Sequence, residues 1–138
     1  MPLDPERWTN RTREAFSAAT TQATAAGQAE ITPTHVLAAI LAQPEGIATP
    51  VLRSLGVDPT TLARTFAERL ATLPRSVGGM QPSMSRELHD GMEEATALAT
   101  EMGDEYLSVE HLLVVFAKEL GVGRDELLGA LREVRGSH

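Results

Sequence analysis

Among 138 residues there is no cysteine, a single lysine (Lys118), and only 4% aromatic side chains. Without thiols neither disulfides nor thiolate metal sites can form, a composition that fits a reducing, cytoplasmic setting. Scarce aromatics beside abundant alanine favour close helix packing over a β-sandwich. No apolar run approaches the roughly 20 residues needed to span a bilayer, and the N-terminus lacks the basic-then-apolar pattern of a secretory leader. A soluble cytoplasmic protein with no membrane partner is expected. Twelve basic residues stand against 19 acidic ones, net −7, and the densest basic cluster, Arg7, Arg11 and Arg13, is diluted by Glu6 and Glu14. Such a chain repels a phosphate backbone, so no nucleic-acid partner is expected. A Gly-x4-Gly-Lys phosphate loop, a dinucleotide glycine fingerprint and a strand–turn–helix serine elbow are all missing, so neither a cofactor nor catalysis is expected.

What is present is a repeat. Leu107-Ser-Val-Glu-His-Leu-Leu-Val-Val-Phe116 echoes Ile31-Thr-Pro-Thr-His-Val-Leu-Ala-Ala-Ile40 at an offset of 76. At that offset Gly27 falls on Gly103, Thr32 on Ser108, His35 on His111 and Leu37 on Leu113. One supersecondary unit used twice explains these coincidences. Each copy reads as a helix with a marked start: Thr32 and Ser108 supply cap oxygens, and Pro33 stands where a first-turn proline is tolerated. Both segments are apolar nearly all round, the mark of a buried helix. They are predicted to be the central helices of two halves.

In chain order, a lead-in through Trp8 precedes a helix starting near Thr9, with Phe16, Ala19, Ala23 and Ala26 as its apolar face and Gly27 as its stop. The first central helix runs from about Pro33 to Ala42. A short helix carries Val51, Leu52 and Leu55, and Asp58 then caps a helix with Leu62, Phe66 and Leu70 inward. The stretch 74–84, with two prolines and two adjacent glycines, reads as a linker between repeat one (about 9–73) and repeat two (about 85–135) of a single domain spanning 1–138. In repeat two, Leu88, Met92, Ala95, Ala99 and Met102 match Thr12, Phe16, Ala19, Ala23 and Ala26 one for one. The Leu-Gly-Val motif at Leu55 recurs at Leu120 only 65 positions on, so about one short helix is expected to be lost. The last helix, near Arg124 to Val134, carries Leu127, Leu128 and Leu131. The fold class is all-α: two pseudo-symmetric tandem repeats, seven or eight helices.

The pair Glu110-His111 does not have metal-site spacing, because adjacent helical residues point about 100° apart. Both repeat histidines are read as packed beside a core and bonded to backbone, and no metal is expected. Met92 and Met102 fall on the core face of their helix, whereas Met80 and Met84 flank the linker. Trp8 is either a staple onto the core or an exposed anchor for a partner.

Arg7-Trp8-Thr9, Glu30-Ile-Thr-Pro-Thr-His-Val-Leu37, Leu73-Pro74, Gly103-Asp-Glu-Tyr-Leu-Ser-Val-Glu-His-Leu-Leu113 and Val134-Arg-Gly136 together resemble the N-terminal repeat domain of Clp-family unfoldases. The Leu-Pro…Gly linker and the closing Val-Arg-Gly look more like the ClpB branch than the ClpC branch. The resemblance implies a domain that recruits unfolded or aggregated polypeptides, or adaptor proteins, to an AAA+ ATPase ring. It implies partner-binding positions at Thr9, Asp104 and Glu110, with Ser85 as the repeat counterpart of Thr9 and Trp8 beside them. It leaves two other roles open, a free-standing regulator of a Clp ring and a ClpC-like reader of phosphorylated arginine through Ser85 and Glu110. Repeat one has Thr34 in place of that acid.

Overall fold

A computed structural model describes residues 3–75 and 81–136, and among them there are eight α-helices and two very short strands. The helices are α1 (Asn10–Ala25), α2 (Pro33–Leu41), α3 (Ala48–Ser54), α4 (Pro59–Ala71), α5 (Arg86–Glu101), α6 (Val109–Val115), α7 (Ala117–Leu120) and α8 (Arg124–Gly136). No described helix is long and apolar enough to cross a membrane. Of the stretch read as a linker, residues 76–80, including Met80, lie outside the described residues, and Ser83–Met84 form strand β2.

Local chemistry sets the boundaries. Thr9 and Ser85 cap α1 and α5, each side-chain oxygen accepting the amide N–H three residues on, from Thr12 and from Leu88. Gly27 and Gly103 stop those helices at φ 67° and 76°, a left-handed turn that costs glycine nothing. Hydroxyls recur in register as well: Thr20 and Thr24 bond the carbonyls of Phe16 and Thr20, and Thr96 and Thr100 bond those of Met92 and Thr96.

The central helices α2 and α6 are buried on nearly every side, as expected. α1 lays Thr12, Ala15, Ala19 and Ala23 on α2, and α5 lays Leu88, Gly91, Met92, Ala95 and Ala99 on α6. Small side chains bring the axes close. The inward face of α1 is rotated slightly from the expected one, with Ala15 buried and Phe16 half-buried. Met102, expected in the core, is 45% exposed because it lies beyond the last turn of α5 as its C-cap.

The two halves are bolted together reciprocally. β1 (Glu30–Ile31), just before α2, pairs in parallel with β2, just before α5. At the repeat offset, Trp8, just before α1, pairs in parallel with Leu107, just before α6. The Ser85 amide donates to the Ile31 carbonyl at 2.9 Å, and the Thr9 amide to the Leu107 carbonyl at 3.0 Å. Each repeat's first helix is thus hung on the other repeat.

The second repeat is shorter, but its short helix is not lost. It survives as the single turn α7, closed by Gly121 at φ 82°, and the connecting loop is what is missing. Another compensation lies in the core. Phe116 stands where repeat one has Ile40, and the helix it packs against carries Gly91 where repeat one has Ala15. A Cβ on Gly91 would collide with the outer edge of the Phe116 ring.

Gly91→Ala should therefore destabilise the domain by about 1–2 kcal/mol, because overpacking outweighs the gain in helix propensity. Adding Phe116→Ile, which recreates the Ala15–Ile40 pair, should restore stability. Urea unfolding of the single and double variants measures both effects.

Candidate functional site

Each central helix is started from inside by a histidine. In repeat one the Nδ1 of His35 accepts the Thr32 amide N–H at 2.9 Å, and its Nε2 lies 2.6 Å from Oε1 of Gln28. An Nδ1 that accepts a backbone proton leaves the ring's own proton on Nε2, which donates to Gln28. The Gln28 amide passes the chain on, donating to the Leu70 carbonyl at the end of α4 at 2.7 Å. Burial lowers the affinity of His35 for a second proton below that of an ordinary imidazole.

Repeat two repeats this arrangement with one substitution. His111 Nδ1 accepts the Ser108 amide at 2.9 Å, and Nε2 donates to Oδ2 of Asp104 at 2.8 Å. Asp104 stands at the repeat offset from Gln28, a carboxylate in place of an amide. Gln28 is buried, whereas the Asp104 side chain is 36% exposed, and solvation makes the charge tolerable there. Ser108 Oγ also lies 3.0 Å from His111 Nδ1, so serine, imidazole and carboxylate form a line. That line is a helix cap rather than a proton relay, because the free lone pair of the ring is committed to a backbone amide.

Asp104 also stands at the rim of a cleft of about 390 Å³. Its walls are the lead-in (Asp4, Arg7, Trp8) on one side and the end of α5 (Thr96, Ala99, Thr100) on the other, with Leu107 between. The cleft exists because the lead-in of repeat one crosses onto repeat two through the Trp8–Leu107 bridge. Its floor is apolar, and Asp104 and Glu105 line its edge.

The residues singled out from the sequence do not converge on one point. Trp8 is 7% exposed and stacks obliquely on Phe16, ring centroids 5.3 Å apart, so it is the staple rather than a free anchor, with part of its surface in the cleft wall. Thr9 is next to it, its hydroxyl occupied by Thr12. Ser85 is 3% exposed and occupied as the α5 cap. Glu110 is paired with Arg135 of α8 at 3.0 Å, over a small hollow of about 30 Å³ that Met102, Val114, Leu128 and Leu131 line. Trp8 and Asp104 share the cleft; Ser85 and Glu110 line neither wall of it.

Thr96, Thr100 and Leu107 line the cleft but were not selected from sequence as site residues. The in-register Thr20/Thr96 and Thr24/Thr100 pairs were the available signal. A trio with converging ligand atoms, His89, Asp90 and Glu93, lies on the open face of α5, where it forms a solvated surface pair rather than an enclosed metal centre.

Two helical repeats exchanging their lead-in segments, with an open cleft along the exchange, define a double-repeat all-helical fold. The chain belongs to the Clp repeat (R) N-terminal domain family, which matches residues 7–131. The chaperone protein ClpB of Corynebacterium diphtheriae is 39% identical over 141 residues, covering 94% of this chain and 17% of that protein. The chain thus spans about a sixth of the length of the curated relatives it matches. In fold it is similar to the Hsp104 N-terminal domain from Candida albicans, with TM-score 0.80 and 19% identity over 95% of this chain and 93% of that one. It is similar also to a ClpV N-domain in complex with a VipB peptide, with TM-score 0.71 and 18% identity over 83% of this chain and 72% of that one.

The Gln28/Asp104 exchange makes the role of Asp104 in its own cap testable. Asp104→Asn keeps an acceptor for His111 and should leave stability within about 0.5 kcal/mol. Asp104→Leu strands the buried Nε2–H and should cost about 1–3 kcal/mol. Thermal or urea unfolding of the two variants distinguishes them.

Proposed function

We propose that this chain is the client- and adaptor-binding domain of a ClpB-type disaggregase, recruiting unfolded or aggregated polypeptides to an AAA+ ring. The cleft between the lead-in and the end of α5 carries this reading. It is open and apolar at its floor, and it offers acceptors at its rim, which suits extended chains of varied sequence better than a single small ligand. A peptide seated on the similarly folded ClpV N-domain supports the same use of this fold. Clients reach the floor through side-chain methyls and rings, and the carboxylates of Asp104 and Glu105 meet main-chain or basic donors at the edge. Binding of this kind is weak per site and gains strength from many copies around a ring. Thr9 and Trp8 take part through the placement of the wall. Glu110 takes part only when Arg135 lets it go.

Trp8 is the sole tryptophan and lines the cleft, so its fluorescence reports occupancy directly. Titration with a permanently unfolded protein should shift that emission, and the same protein in its folded state should not. Thr100→Trp, at an exposed position, should fill the cleft and weaken binding of a fluorescein-labelled unfolded client about tenfold by anisotropy, with little change in stability. Equal binding of folded and unfolded forms would overturn the reading.

A further inference from the structure

The second repeat carries the whole net charge. Residues 1–75 hold seven basic and seven acidic side chains, and residues 76–138 hold five and twelve. Four of these acids line a second groove, distinct from the cleft, between the outer edge of α5 and the end of α6. Glu87, Asp90, Glu94 and Glu119 wall it, and Val115 and Phe116 are in its floor.

The pseudo-dyad supplies an internal comparison. The corresponding groove of repeat one runs between α1 and α2, encloses about 300 Å³, and is lined chiefly by alanines. One end of it is tied shut, because Gln43 Nε2 donates to the Arg11 carbonyl at 2.7 Å. The groove of repeat two encloses about 600 Å³. Glu87 stands there at the repeat offset from Arg11, and Glu119, which is an acceptor only, lines the same hollow. The two carboxylates also line an adjoining hollow beside Thr32 and Pro33, so they stand on the boundary that the two hollows share. Neither has a hydrogen-bond or ion-pair partner among the described residues. The cations present do not neutralise it: Arg124 is spent on Glu94, and Lys118 in the groove and Arg69 in the adjoining hollow are left against Glu87, Asp90 and Glu119, so acid still exceeds base.

We infer that the α5–α6 groove is a second interaction surface, for an extended polypeptide segment carrying two or more arginine or lysine side chains. Charge complementarity selects the occupant. Partner cations bridge Glu87 and Glu119, where repeat one uses Gln43 to close the corresponding gap, and intervening apolar side chains meet Val115 and Phe116. The nucleic-acid alternative is removed by the sign of the field, since a phosphate chain is repelled from this face.

The test uses a fluorescein-labelled peptide of about twelve residues alternating arginine and leucine, with a glutamate–leucine peptide as its control. Fluorescence anisotropy should show binding of the basic peptide alone, falling steeply as salt rises from about 50 to about 300 mM. Glu87→Lys with Glu119→Lys should weaken that binding at least about tenfold. Both side chains are exposed, and unfolding curves confirm that the variant folds. Thr100→Trp, which blocks the cleft, should leave basic-peptide binding unchanged, so failure of the groove and failure of the cleft are told apart. Basic-peptide binding that survives the double reversal, or that is lost equally in a Glu68→Lys, Glu101→Lys control away from the groove and the cleft, would overturn the inference.

Discussion

The structure depends on an exchange of backbone pairing between its halves. The chain leading into α1 is fixed to the chain leading into α6, and the chain leading into α5 to the chain leading into α2. Each pairing is only a few hydrogen bonds long and would be worthless as an isolated sheet. They persist because each is flanked by a capped helix whose apolar face is already committed to its neighbour. The exchange also leaves neither half complete alone: repeat one's lead-in covers Leu107, and Thr12 of α1 donates its hydroxyl to the Leu107 carbonyl at 3.0 Å.

From that exchange follows the candidate binding surface. Carried across to the other repeat, the lead-in spans an open cleft whose opposite wall is the end of α5. The residues that maintain the frame are the same in kind in both repeats: capping hydroxyls, left-handed glycines, inward histidines. Other positions differ. Gln28 is replaced by Asp104, Thr34 by Glu110, Arg11 by Glu87, and Ala18 by Glu94. Symmetry is kept in the caps and stops that set the frame and relaxed elsewhere, in the Ala15/Gly91 and Ile40/Phe116 core pairs as well as at these four positions, each of which adds an acid to the second repeat.

Much of the frame was legible in the sequence because its determinants are local. A hydroxyl three residues before a histidine, a glycine after an apolar stripe and an offset of 76 between them need no tertiary information. The exchange was not legible. Two-residue strands carry no periodicity, and nothing in Ser83-Met84 or Arg7-Trp8 says which partner edge they will meet. Burial of Trp8 follows from that pairing, and for this reason the staple and the exposed anchor could not be separated beforehand. Met102 was misplaced because the helical period was extended one residue past the last turn, where the chain no longer follows it. The survival of α7 as a single turn was hidden because the shift from 76 to 65 counts missing residues without saying whether helix or loop had gone.

Native-state hydrogen exchange of the paired amides tests the interlock most directly. The Thr9 and Ser85 amide protons, one in each exchanged pairing, should exchange only through global unfolding, with the same free energy and the same dependence on denaturant. If either proton instead exchanges through an opening confined to one repeat while the other stays protected, the halves are separate units and the interlock does not hold the domain together.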